Sequence, residues 1–552
     1  MNNTITSSKD FFSKNIPVAS LATSSALVFA TVYLIKKGRS NAKTKIHDIP
    51  SAVPMIFQSL GIELLYFILN GFTLRKFFGH SRKKLNTNIF KIPSLFSAGL
   101  PGEVIAVVHP ADQEKIYKKE KMLQFKPALP ESIHQIHGIE SMQNLPVGNT
   151  HSAIRKIYSS ILSPRALESF IPYVISHFDQ MWKDLESKSQ DFEKDGGSKC
   201  LPHFRTVVRG CQLKLMCQIL FGFTYNTEDD EKKFAQFCDD FDLCEAALFA
   251  DTKPKVLKKG KEASERITQV LLDRFDQIYM DRLELFRNGG ANEDAVQKRE
   301  KSSVGNAMII IADALIKDSL KDANNANSEI VKSKLFDIAR KNLYLLLEAS
   351  HGTTMHITTA MMYFLNHPDN SNALKSVRNE LSQLKSNDHQ SITPDYEFFK
   401  TKMTFADACI NETMRLAPIS GGIALHTPTN NTIQVNEHTI EGPVTFMFYN
   451  SHWYDDPETF PQPEKFLPQR WIAGDDNEVS AFAKSTFKPF GDGRHICLGM
   501  HLARLVMKVN LYCFARNDDR KLTYDFDKAK IVDVIFPEKK VSDDFFVRVH
   551  SD

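Results

Sequence analysis

From about residue 150 to 385 the apolar residues recur at helical spacing, and a chain carrying so long a helical stretch can bury it only as a body of many packed helices. Two polar, glycine-containing stretches interrupt the pattern, at 187–199 and 287–303, and read as surface loops between helices. The flanks differ in character. Segment 102–110 (GEVIAVVHP) has the β-branched enrichment of a strand, with helix expected from Ala111. After residue 418 Pro, Gly and β-branched residues rise, and 432–449 reads as two short strands around a turn. A last amphipathic helix is expected over 498–515, followed by a strand-like tail. The expected fold class is mainly α with a minor β domain.

At 552 residues the chain exceeds one ordinary domain, although one large enzyme domain with a tail accommodates it. A net charge of +3 is too small for a nucleic-acid footprint. The 40 Phe residues suit a large apolar interior or pocket, since Phe buries area without a polar group to satisfy. Eight cysteines are scattered, at 200, 211, 217, 238, 244, 409, 497 and 513, with no CxxC pair. Structural zinc and a disulfide lattice are therefore not expected, and most of the cysteines read as reduced and buried.

The run Ile16–Ile35 has 20 residues and no charge. At a rise of ~1.5 Å per residue it matches a bilayer core of ~30 Å. Lys36, Lys37, Arg39, Lys43 and Lys45 follow it, which places the remainder on the cytosolic side. Residues 1–45 thus read as a membrane anchor with its basic flank. The competing readings are a cleaved signal peptide and an organelle transit peptide, because the first 46 residues are Ser/Thr-rich with one acid, Asp10. Residues 46–100 read as a linker whose stretch 53–72 is amphipathic and lies on the membrane or the fold. The catalytic domain is expected over 101–552.

Chemistry concentrates in 487–509 (FKPFGDGRHICLGMHLARLVMKV). Gly491 and Gly493 permit a tight turn that aims amide groups at the Cys497 sulfur, and the helix that follows adds the partial positive charge of its amino terminus. A lone cysteine before a helix is usually structural. Here the ten residues 490–499 (FGDGRHICLG) resemble the haem-binding signature of the cytochrome P450 family, with His495 where Arg is more frequent. The resemblance implies that Cys497 ligates the iron of haem b and that Phe490, Arg494, His495 and Gly499 contact the cofactor.

Further landmarks occur in order. Glu412 and Arg415 stand at the family's Glu-x-x-Arg spacing, and 463–470 resembles its Pro-x-x-Phe-x-Pro-x-Arg element, which makes Arg470 the third member of a buried structural triad. His151 and Arg155, four apart on one helical face, match the family's propionate donors, and His426 matches another. The segment 345–365 resembles the oxygen-activating helix. Its six motif positions read Ala349, Ser350, His351, Gly352, Thr353 and Thr354, so the hydroxyl pair Thr353–Thr354 is present while Gly352 replaces the usual acid. Glu348 lies five residues from Thr353, about 140° around a helix, and does not stand in for it.

The resemblance implies the cytochrome P450 fold and a monooxygenase taking electrons, ultimately from NADPH, through a reductase that docks near Lys488, Arg494, Arg504 and Lys508. Its expected substrate is an apolar terpenoid, sterol or fatty-acid-like molecule, and segment 238–250 is expected to contribute to the substrate-access wall. Its expected place is the endoplasmic reticulum membrane, with a plastid or mitochondrial membrane as the alternative. Two other readings share the motifs: a haem-thiolate isomerase or dehydratase that needs no reductase, and a haem-binding membrane protein without turnover.

Overall fold

The structure is a computed structural model describing residues 74–92, 100–138, 140–195, 200–248, 253–289, 307–320, 326–387, 394–428, 430–533 and 539–550. The anchor expected in residues 1–45 and the amphipathic stretch 53–72 lie outside the described residues. Among the described residues, no helix is long and apolar enough to cross a membrane.

Helices dominate, as the periodicity requires. We number the larger ones α1 (Leu74–Leu85), α2 (Pro110–Tyr117), α3 (Asn149–Ser159), α4 (Pro164–Lys194), α5 (Phe204–Phe221), α6 (Glu228–Ala247), α7 (Pro254–Gly289), α8 (Ala307–Leu320), α9 (Ala326–Lys341), α10 (Leu343–Leu365), α11 (Ser371–Asn387), α12 (Thr404–Leu416) and α13 (Met500–Ala515). Local sequence explains several of their boundaries. In α4, Pro164 occupies the first turn, where its missing N–H costs nothing, and Ser163 Oγ accepts from the Ala166 amide. In α6, Thr227 and Asp230 form a reciprocal capping box. Helix α10 is apolar almost all round and is buried accordingly, packed against α5, α7, α12 and α13.

The minor β part centres on one five-stranded sheet in the order β1 (Ile89–Lys91), β2 (Glu103–Val107), β7 (Val444–Tyr449), β4 (Gly422–Thr427) and β3 (Lys126–Pro127). Strand β2 runs parallel to β7, and the other pairs are antiparallel. The register sets His426 opposite Thr445. Three two-stranded sheets complete it: β5 (Thr432–Val435) with β6 (His438–Glu441), β8 (Lys521–Tyr524) with β11 (Val547–His550), and β9 (Ile531–Asp533) with β10 (Lys539–Val541). The main apolar core lies among the helices, and a second gathers Ile105, Phe125, Leu425, Phe446 and Phe448 beneath the sheet. Ahead of β2, α1 and β1 already belong to this body: Phe78 stacks on Tyr449 with centroids 4.0 Å apart, and β1 pairs with β2.

Three local expectations change. Segment 432–449 forms three strands, because Asn436 takes the left-handed conformation (φ 53°) and closes a β5–β6 hairpin before β7 begins. Residues 187–194 are the end of α4 rather than loop. The buried stripe continues through Leu185 to Ser189, whose hydroxyl donates to Leu185 O (2.8 Å) and accepts from the Val549 amide of β11 (2.9 Å), so a tertiary partner sustains a polar helix end. Likewise α7 runs on through Arg287 to Gly289, and 290–303 lie outside the described residues.

Candidate active site

The site is built around the loop that precedes α13. Gly491 and Gly493 hold positive φ (75° and 65°), and Gly493 has no room for a side chain: a Cβ there would stand 2.2 Å from Glu120 Oε1. Glu120 accepts the Arg494 amide on both oxygens (3.2 and 3.0 Å), which ties the loop to the short helix Glu120–Leu123. The Cys497 amide donates to Phe490 O (2.8 Å), closing the loop on itself. Phe490 in turn lies under the Arg504 guanidinium of α13, 5.4 Å from its ring centroid.

Protein crowds the Cys497 thiol on several sides yet leaves it exposed on another. That crowding raises its pKa, while the amides of Gly499 and Met500 and the charge of Arg155 oppose the rise. All eight cysteines are free, and only Cys200 and Cys497 are exposed, so Cys497 is an exposed thiol at the head of a largely buried helix.

Beside it, α3 presents the pair expected from the sequence. Arg155 Nη2 donates to Ile496 O (2.6 Å), and its charge acts on the Cys497 sulfur. His151 is buried, with its ring 4.8 Å from that of His495. His495 Nε2 bonds to Phe125 O (3.1 Å). Burial, together with the nearby His495, Arg155 and Arg494, pushes His151 down to about 4, so it is a neutral ring at neutral pH. His426 stands apart in its bonding: Nδ1 meets Thr445 Oγ1 (3.1 Å), and the ring also bonds to the Val444 backbone.

Helix α10 carries the second motif. His351, Thr354 and the residues from Met355 to Leu365 are buried, whereas Leu346, Glu348, Ala349, Ser350, Gly352 and Thr353 remain half-buried or exposed. Of these, Leu346, Ala349, Ser350 and Thr353 fall at i, i+3, i+4 and i+7 along one stripe. Thr353 Oγ1 donates to Ala349 O (3.0 Å), and Thr354 lies off the stripe. The structure thus separates the two threonines that the motif brings together.

Glu412, Arg415 and Arg470 form a closed, buried cluster. Arg415 reaches both Glu412 oxygens (3.0 and 2.7 Å), and Arg470 Nε donates to Oε1 (3.1 Å). Two donors that the motif does not reveal, the Leu467 amide (3.1 Å) and Trp471 Nε1 (2.9 Å), complete the carboxylate's shell. The remaining guanidinium groups donate to backbone carbonyls at Tyr454, Pro463, Lys465, Pro461 and Gln462. One carboxylate serves two guanidinium groups whose other donors meet backbone carbonyls, so the cluster holds the segment 461–471 against α12.

Of the four cations expected on a docking face, Lys508 is turned inward. It is 4% exposed, and its ammonium donates to Phe399 O (2.5 Å) beside Asp407. Arg504 is engaged by Asp407 and Asn411. Lys488 pairs with Asp492 (2.8 Å), and Arg494 remains exposed.

Sequence reasoning also missed a carboxylate. Glu245 of α6 reaches α10: Oε2 accepts from Arg209 Nη2 (2.8 Å), and Oε1 lies 3.5 Å from His351 Nδ1. Burial opposes its ionisation, but His351 and Arg209 outweigh that and keep the carboxyl below its ordinary value. The signal was the gap at Gly352, since a missing acid invites a search for one on a neighbouring helix.

The chain is similar to known proteins. The family model described as Cytochrome P450 matches residues 61–522. The C-22 sterol desaturase erg5 of Aspergillus fumigatus is 25% identical over 445 residues, covering 75% of this chain and 76% of that protein. Cytochrome P450 26B1 of Xenopus tropicalis is 24% identical over 541 residues, covering 96% and 94%. Among solved structures, the retinoic acid bound cyanobacterial CYP120A1 shares the fold with a TM-score of 0.59 at 20% identity, over 86% of this chain and 94% of that one.

Proposed function

Because the chain belongs to the cytochrome P450 family, whose members are haem-dependent monooxygenases, we propose that Cys497 is the axial ligand of its haem iron and that the enzyme oxidises an apolar small molecule with electrons from a reductase. The observation that carries this reading is the Cys497 thiol, open on one side and served by the Gly499 and Met500 amides. Those donors and Arg155 favour the ionised sulfur that iron requires. The open stripe of α10, with Thr353 on it, suits the opposite face of a flat macrocycle.

Arg155, His151, Arg494 and His495 lie together beside the ligand loop and supply donors for the two propionates. His426, whose Nδ1 meets Thr445 Oγ1, is the further donor in this reading. When bound, the haem supplies the oxygen-activating chemistry; the chain supplies ligation, orientation and the proton held or passed at Thr353 Oγ1. An apolar substrate accords with the 40 Phe residues and with the sterol-desaturase relative. The cytosolic face of the endoplasmic reticulum membrane, with residues 1–45 as tether, accords with the uncharged run Ile16–Ile35 and the basic residues after it.

One preparation tests both parts. The protein expressed without residues 1–45 should leave the membrane fraction and still give the red-shifted carbon monoxide band of thiolate-ligated ferrous haem. Cys497→Ser should abolish that band. An unchanged band in the serine variant overturns the ligand assignment, and continued membrane residence overturns the tether.

A further inference from the structure

Helix α10 carries the hydroxyl of a proton relay but not its acid, since Gly352 stands immediately before Thr353. A Cβ built on Gly352 would meet one group from outside the helix within 4 Å, Glu245 Oε1 at 3.6 Å. The carboxylate of α6 therefore stands at ordinary contact distance from where a side chain at 352 would begin.

We propose that Glu245, carried on α6, is the acid that feeds protons to Thr353, standing on a neighbouring helix in place of the side chain that Gly352 lacks. This rests on the monooxygenase reading given above.

Four features of the surroundings suit the role. The two carboxylate oxygens are in different environments: Arg209 Nη2 clamps Oε2 (2.8 Å), which leaves Oε1, on the Gly352 side, to take a proton and release it. His351, the motif residue before Gly352, presents Nδ1 to Oε1 (3.5 Å) while its Nε2 meets Arg209 O (3.3 Å) and its ring stands edge-on to Phe241. This fixed ring stands beside Oε1 at ion-pair distance. On the other side, Arg209 also pairs with Asp242, whose side chain is 55% exposed, so the charged chain Asp242–Arg209–Glu245 runs from solvent to α10. Finally, Thr353 Oγ1 donates to Ala349 O and so keeps its lone pairs free to accept.

The other groups facing this spot are Glu348, one turn before Gly352, and beyond it His137, whose Nε2 is 3.5 Å from Glu348 Oε2. Tyr344 and Cys244 flank them, and Arg266 of α7 is engaged by Asp240. Burial and the Glu245 charge push Glu348 up to about 7, while Glu245 is held ionised, so the two carboxyls are separated in role. The proton balance is simple. Inserting one atom of dioxygen and releasing the other as water takes two electrons, from a reductase, and two protons. Each proton enters from solvent, resides on Glu245 Oε1 and leaves toward Thr353, and the carboxylate is regenerated.

The test uses the full haem-loaded chain. Glu245→Gln keeps the shape and removes the exchangeable proton; it should slow coupled product formation by about 100-fold and divert reduced oxygen to peroxide. It should also shift the carbon monoxide stretch of the ferrous complex and remove its pH dependence, a readout that involves no turnover. Glu245→Gln combined with Gly352→Glu should regain most of the coupling. Glu245→Asp, which keeps the charge and the Arg209 pair but draws the carboxylate back by one methylene, should give an intermediate loss and covers the case in which the glutamine variant fails to fold. Unchanged coupling and an unchanged stretch in Glu245→Gln or Glu245→Asp overturn the inference. A wild-type protein without the thiolate carbon monoxide band would instead overturn the underlying functional reading, so the two failures are distinguishable.

Discussion

Replacing Glu348 by Gln should make the protein more stable than the wild type above neutral pH. The carboxyl is half-buried on α10 beside the Glu245 charge, and desolvation and that charge raise its pKa from 4.5 to about 7. A difference of that size corresponds to about 3 kcal/mol, at ~1.4 kcal/mol per pKa unit. The sign follows from linkage: between pH 4.5 and 7 the folded chain holds a proton that the unfolded chain has lost, so stability falls as pH rises. The stabilisation from the protonated carboxyl is fully present below 4.5 and gone once pH passes about 7. Gln has nearly the same shape and never ionises. Denaturant unfolding of wild type and variant at half-unit steps from pH 5 to 8.5 should therefore give a difference that moves steadily in favour of the variant, by ~1.4 kcal/mol per pH unit, and then levels. A difference independent of pH would refute the reasoning, because it would mean that Glu348 titrates alike in both states.

Two further outcomes follow from the site's geometry. Glu412→Gln leaves Arg415 and Arg470, both essentially unexposed, without their carboxylate, and should cost ~3–5 kcal/mol in chemical unfolding with loss of haem retention; a cost below ~1 kcal/mol would show that the cluster does not hold 461–471 against α12. Gly493→Ala combines backbone strain with a 2.2 Å clash at Glu120 and should lower the unfolding midpoint more than Gly491→Ala, which meets nothing within 4 Å and bears only the ~1–2 kcal/mol backbone term; equal effects in a thermal melt would show that the clash relaxes freely.

The parts legible in the sequence were those fixed by local chemistry. The Cys497 loop could be read because its glycines, cysteine and following helix lie within a dozen residues, and the Glu412–Arg415 pair because i and i+3 share a helical face. The helical body could be read because apolar periodicity is a local signal. What failed depended on partners distant in sequence. The end of α4 looks like loop until Val549 is seen bonding to Ser189, and Lys508 looks like a surface cation until Phe399 O and Asp407 are placed beside it. Trp471 and the Leu467 amide were invisible as Glu412 donors because their roles exist only once 461–471 folds back on α12.

Gly352 illustrates the same limit in a form that bears on mechanism. A motif read along one helix treats an acid at position 352 as present or missing, but a proton follows distances and not sequence order. With Glu245 Oε1 3.6 Å from the absent Cβ, an acid at 352 would set two carboxylates in contact, and like charges so close cannot both stay ionised. The two sites therefore exclude each other electrostatically: an acid at 352 makes Glu245 a liability, and Glu245 makes glycine at 352 favourable. Such a pair is non-additive by construction. That is why an acid at 352 should disturb the protein while Glu245 is present and repair it once Glu245 is neutral, a reversal of sign that a purely structural role for either residue does not produce.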